Sequence, residues 1–78
     1  MKNFPSQVRA ARGLLNLTQQ DLADISGVSL RTIVQFERGE KEPSVSIARV
    51  LRLSLEAAGI EFISENGGGV GVRLRKKS

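Results

Sequence analysis

The sequence predicts a mainly α domain, four helices followed by a C-terminal β-hairpin. Three observations carry that reading. Apolar residues recur at helical spacing from residue 6 to residue 58, the stretches open on cap-forming Ser or Thr and close on Asn or Gly, and apolar–polar alternation is confined to the chain beyond residue 59. At 78 residues the chain makes one domain, and folding at this size hides only ~60–65% of the unfolded surface, so the core is small and pairing with a second copy would help it.

Each element follows from local chemistry. Pro5 suits a first helical turn and Ser6 a cap, so Val8, Ala11 and Leu15 place a first helix over residues 6–15, ended by Asn16, which tolerates a left-handed backbone. Thr18 with Asp21 three residues on is a cap signature that opens a second helix carrying Leu22, Ala23 and Ile25, and Gly27 stops it. Ser29 caps a third helix over residues 30–38, with Ile33 and Phe36 facing one way and Arg31, Gln35 and Arg38 the other; Gly39 ends it. After the polar connection Glu40–Lys41–Glu42–Pro43, Ser44 caps the longest helix, whose stripe of Val45, Ala48, Leu51 and Leu55, with Ile47 and Ala58 alongside, runs down to Gly59. Residues 60–63 and 70–75 alternate around the glycine-rich stretch 64–69 and read as the hairpin. Residues 1–59 thus form one unit, and residues 60–78 a hairpin and basic tail, either part of the same compact domain or a dimerisation arm.

Composition excludes several function classes. There is no Cys and no His, which removes disulfides, thiolate nucleophiles, zinc-thiolate sites and imidazole bases. Asp21 and Asp24 are the only close aspartate pair and have no nucleophile or base beside them, so no catalytic residue, metal ligand or cofactor is assigned and an enzyme is not expected. No apolar run approaches the ~20 residues of a membrane span and no signal-peptide core is present, so the expectation is a soluble, cytoplasmic protein. The formal charge of +4 points to a polyanion, but it is unevenly placed: residues 1–65 hold eight basic and eight acidic residues, and the excess is Arg73, Arg75, Lys76 and Lys77.

The middle of the chain carries the function. Two short helices separated by a turn containing Gly27 have the form of a helix-turn-helix, in which the second helix enters the DNA major groove. Ala23 supplies the small residue where such helices press together, Gly27 the left-handed turn position, and Ile33 the β-branched anchor. The ordered segments Thr18–Gln19–Gln20–Asp21–Leu22–Ala23, Gly27–Val28–Ser29, Thr32–Ile33 and Phe36–Glu37–Arg38–Gly39 resemble the lambda-repressor-like, Cro-type (XRE) helix-turn-helix family, over roughly residues 6–58. Two features depart from its pattern: Asn16 stands where many relatives have glycine, and the hairpin replaces the fifth helix on which members often dimerise.

The resemblance implies sequence-specific binding to double-stranded DNA, usually by a homodimer on a palindromic operator and most often in repression. It implies base contacts for Leu30, Arg31 and Gln35, to which the helix face adds Val34, and backbone contacts for Thr18, Gln19, Ser29, Thr32, Arg38 and Lys41. It also implies a structural ion pair between Arg12 and Glu37. The residues agree on the central point, since 30, 31, 34, 35 and 38 share one helix face. Arg31 can pair bidentately with guanine and Gln35 with adenine, while Leu30 and Val34 can meet thymine methyls. Plainer readings stand beside these: Gln19, Arg31 and Gln35 as solvated polar residues, and Leu30 and Val34 as core edge or partner surface. The basic tail reads either as a phosphate contact or as a solvated end, and Gly67–Gly69 as a hairpin turn, since the helix and Lys-Ser/Thr pair of a phosphate loop are missing.

Dimerisation is expected because a two-stranded hairpin is marginal alone and one half-site gives modest specificity; Phe62, Ile63, Val70, Val72 and Leu74 are the candidates for that interface or for covering the fourth helix. A different function class is an antitoxin or anti-activator that neutralises a protein partner, such as a toxin or another regulator, through an apolar surface on the hairpin and on Leu30 and Val34.

Overall fold

The computed structural model describes residues 3–40 and 44–76. Four helices, α1 (Phe4–Leu15), α2 (Gln19–Ser26), α3 (Leu30–Arg38) and α4 (Val45–Ala57), are followed by two strands, β1 (Ile60–Ile63) and β2 (Gly71–Leu74). The mainly helical architecture with a C-terminal hairpin is the one expected from the sequence.

The caps explain the boundaries. At α2 the Thr18 hydroxyl accepts from the Asp21 amide at 3.0 Å and the Thr18 amide donates to the Asp21 carboxylate at 2.9 Å, so two otherwise unpaired helix-start amides are satisfied reciprocally. Ser29 and Ser44 accept from the amides of Thr32 and Ile47 at 3.2 and 3.1 Å. Asn16 closes α1 at φ 56°, a left-handed conformation that Asn tolerates better than most residues. Thr18→Ala is expected to cost about 1 kcal/mol and to lower the melting temperature by about 4–8 °C, measured by calorimetry.

Three local expectations are corrected. Ser6 does not cap α1, which starts at Phe4 with Asn3 before it and no side-chain cap; Pro5 needs no amide partner in the first turn and lets the helix begin earlier. Ile25 is 51% exposed, because the α2 face that meets the core is centred between Leu22 and Ala23 and Ile25 lies well round from it. Val45 and Ala58 likewise face solvent, at the first turn and at the cap of α4, beyond the reach of the other helices.

The core gathers Phe4, Val8 and Ala11 of α1, Leu22 and Ala23 of α2, Val28 of the turn, Ile33 and Phe36 of α3, Ala48, Leu51 and Leu55 of α4, and Ile60 of β1. Phe4 is its hub, meeting Phe36 edge-to-face at 5.8 Å between ring centroids and Phe62 at 5.3 Å. The hairpin closes within the chain, antiparallel, with Ile60 opposite Leu74 and Phe62 opposite Val72. Its inward residues Phe62 and Val72 pack on the core, and the Gln7 amide donates to the Gly71 carbonyl at 3.0 Å, tying the hairpin to α1. Its turn is organised by Glu65, whose carboxylate accepts from the amides of Gly67 and Gly69, both at 3.0 Å. Gly67 and Gly69 have φ of 95° and 92°, conformations in which a side chain is strained.

Candidate nucleic-acid interface

The site begins with how α3 is held. Ile33 and Phe36 are buried, and Glu37, the third buried residue of the helix, is charged. An unpaired carboxylate there would be costly, and the fold surrounds it with donors. Arg12 of α1 grips it bidentately, Nε to Oε2 and Nη2 to Oε1, each at 2.7 Å, and Gln19 at the start of α2 donates to Oε1 at 3.1 Å. Arg12 also donates to the Leu17 carbonyl at 3.0 Å. One carboxylate thus joins α1, α2 and α3, and its Arg12 partner ties in the α1–α2 turn. The Glu37 carboxylate, chiefly through these hydrogen bonds, holds the Arg12 guanidinium above its ordinary pKa, against the opposing pull of partial burial.

Sequence reasoning missed Arg9. Its guanidinium donates to the backbone carbonyl of Glu37 and to the Ser6 hydroxyl, so a side chain of α1 satisfies a carbonyl at the C-terminal end of α3. Only the approach of α3's end to α1 reveals this; nothing local in the sequence marks Arg9 over other surface arginines.

The opposite face of α3 is open. Leu30, Arg31, Gln35 and Arg38 are exposed and Val34 is half-buried, so the five positions form the face that the helical spacing predicts. Among the described residues Arg31, Gln35 and Arg38 make no side-chain hydrogen bond or ion pair within the chain, which leaves their donors for an external partner. The acid nearest this face in sequence, Glu37, is turned inward and neutralised by Arg12, so it does not repel a phosphate.

Of the residues expected to bind the DNA backbone, Thr18 and Ser29 are exposed helix caps, and the Ser29 hydroxyl donates to the Thr32 hydroxyl at 2.9 Å, leaving the Thr32 proton free to donate outward. Gln19 has one amide hydrogen committed to Glu37, which fixes its side chain at the start of α2 and leaves its second hydrogen. Lys41 and Lys77 lie outside the described residues.

The basic end of the chain is less free than its sequence suggests. Arg73 pairs across the strands with Glu61, and Arg75 donates to the Glu56 carbonyl at 2.7 Å, covering the C-terminal end of α4. Of the hairpin candidates for dimerisation, Phe62 and Val72 are packed on the chain's own core, Ile63 is half-buried, and Val70 and Leu74 remain 38% and 52% exposed. No helix among the described residues is long and apolar enough to cross a membrane.

Comparison with known proteins agrees with this geometry. Residues 8–56 match the profile of a helix-turn-helix family, a stretch that covers the Arg12–Glu37 pair and all of α2 and α3. An uncharacterized HTH-type transcriptional regulator of Methanocaldococcus jannaschii is 46% identical over 48 residues, covering 62% of this chain and 68% of the relative. An uncharacterized HTH-type transcriptional regulator of Methanothermobacter thermautotrophicus is 38% identical over 56 residues, covering 72% and 81%.

Proposed function

Since the chain belongs to the XRE-type helix-turn-helix family of DNA-binding transcription regulators, we propose that it reads a specific double-stranded DNA sequence through α3, as a homodimer on a palindromic operator in the cytoplasm. The observation that carries the reading is the open face of α3: Arg31, Gln35 and Arg38 are exposed and bond no other side chain or backbone among the described residues, while the helix's other side is locked by Glu37 and two arginines. Arg31 and Gln35 read purine edges in the major groove, and Leu30 and Val34 meet thymine methyls. Thr18, Gln19, Ser29, Thr32, Arg38 and Lys41 bind the flanking phosphates and set the register. A dimer that covers its operator excludes other proteins from that DNA, which is repression by steric block.

Selection of bound duplexes from a random library tests this. The expected result is a two-fold symmetric motif with half-sites about 34–36 Å apart, or a multiple of that spacing. A library recovered without enrichment overturns the reading and leaves capture of a protein partner through Leu30, Val34 and the hairpin as the function to pursue. The tail is tested separately. Because Arg73 and Arg75 are bonded within the folded hairpin, the truncation is confined to residues 76–78. That truncation is expected to lower non-specific affinity and flatten its salt dependence while leaving the selected motif unchanged, as read by binding titrations at several salt concentrations.

A further inference from the structure

We propose that the outward face of α4 is the surface through which two copies of this chain pair, their α4 helices lying antiparallel. This gives a surface to the dimer proposed above. The stripe Ser46, Val50, Leu53 and Ala57 recurs at steps of four, three and four residues, the spacing of a helix–helix seam. It lies opposite the buried stripe Ala48, Leu51 and Leu55, so α4 is apolar on two sides, whereas a helix with one partner face carries polar residues on the other. Val50 and Leu53, at the middle of the seam, are 38% and 54% exposed, and Ser46 and Ala57, at its ends, are exposed and small enough for close approach.

Charge and symmetry select a second copy and its direction. Reversing one α4 about a point midway between Val50 and Leu53 sets Val50 against the other copy's Leu53 and Ser46 against its Ala57. The same operation brings Arg49, exposed beside the seam, to the same flank as the other copy's Glu56 and within about two residues of it, ~3 Å along the helix axis. A parallel pair would instead put the two copies of this flank on opposite sides of the seam, so that Arg49 faces the other copy's Ser54 and meets no carboxylate. Glu56 is held by Arg52 at 3.2 Å through Oε2, so its other oxygen is open to an incoming guanidinium. The stripe is therefore complementary to itself in the antiparallel direction alone, as a two-fold interface requires.

Sedimentation equilibrium of the full chain and four variants tests this. The unaltered chain is expected to dimerise, and Leu53→Lys, at an exposed position, to weaken the dimer at least about tenfold. Arg49→Glu and Glu56→Arg are each expected to weaken it by setting like charges together, and the two combined to restore it to within about threefold of the parent. A monomeric parent, an unchanged dissociation constant for Leu53→Lys, or a double variant no better than the singles overturns the proposal. Titration of Leu53→Lys with a single half-site separates the two readings. Retained half-site affinity with lost dimerisation supports both, whereas lost dimerisation without half-site binding by a folded variant removes the DNA reading and leaves the α4 surface standing.

Discussion

Replacing Arg31 and Gln35 together by alanine is expected to lower affinity for the selected operator by roughly 30-fold to 10⁴-fold, because each bidentate pair with a purine contributes ~1–3 kcal/mol of discrimination. Both side chains are exposed and make no hydrogen bond within the described chain, so the thermal midpoint should stay within the error of the measurement. The affinities are read by fluorescence anisotropy at one fixed salt concentration, with a scrambled duplex as reference. Arg38→Ala provides the contrast: removing a guanidinium that binds phosphate weakens operator and scrambled duplex alike and reduces the salt slope by about one. Equal operator affinity for the parent and the Arg31→Ala/Gln35→Ala variant would show that α3 does not read bases.

Glu37→Ala should damage the fold as severely as truncating a core residue. It leaves the Arg12 guanidinium, whose side chain is only 19% exposed, without its carboxylate and strips Gln19 of its acceptor. Removing one partner of a buried pair costs ~3–5 kcal/mol. A domain of this size has a total stability of roughly 4–12 kcal/mol, so the loss removes from about a quarter to all of it. Chemical denaturation followed by circular dichroism checks this. Replacing both partners by leucine should recover most of the loss, because no charge is then stranded, although the Leu17 carbonyl also loses its Arg12 donor. The pair should contribute equally across the neutral and mildly alkaline range. Arg12 has its folded pKa raised above the unfolded value, so its contribution is complete below the unfolded value and is lost only as pH rises through the folded one. A parent-like denaturation midpoint for Glu37→Ala would remove the network from the account of stability.

Much of this was legible because it is encoded locally. Thr18 with Asp21, Ser29, Ser44, Asn16, Gly27 and Gly39 act within one turn of themselves, and each does in the structure what its chemistry predicts. The face of α3 was legible for the same reason, since helical spacing alone separates Arg31 and Gln35 from Ile33 and Phe36. Where local reading erred, at Ser6, Ile25 and Val45, the deciding factor was which neighbour was near enough to bury or bond the residue.

By itself, then, the sequence determined the order of elements, the helix-turn-helix and the side of α3 left open, because caps, turns and periodicity depend on residues a few positions apart. Apart from the Arg12–Glu37 pair, which the family resemblance implied, tertiary structure alone decided what the long polar side chains do. Arg9 holds the end of α3, Gln19 is fixed by Glu37, Arg73 is spent on Glu61, and Arg75 covers the end of α4. The net charge of +4 suggested a basic tail free to attract DNA, yet two of its four cations are engaged within the fold. The physical reason is distance: a long side chain with donors to place takes the acceptor the folded chain brings within hydrogen-bonding reach, and for these four that acceptor lies twelve to twenty-eight residues away in sequence.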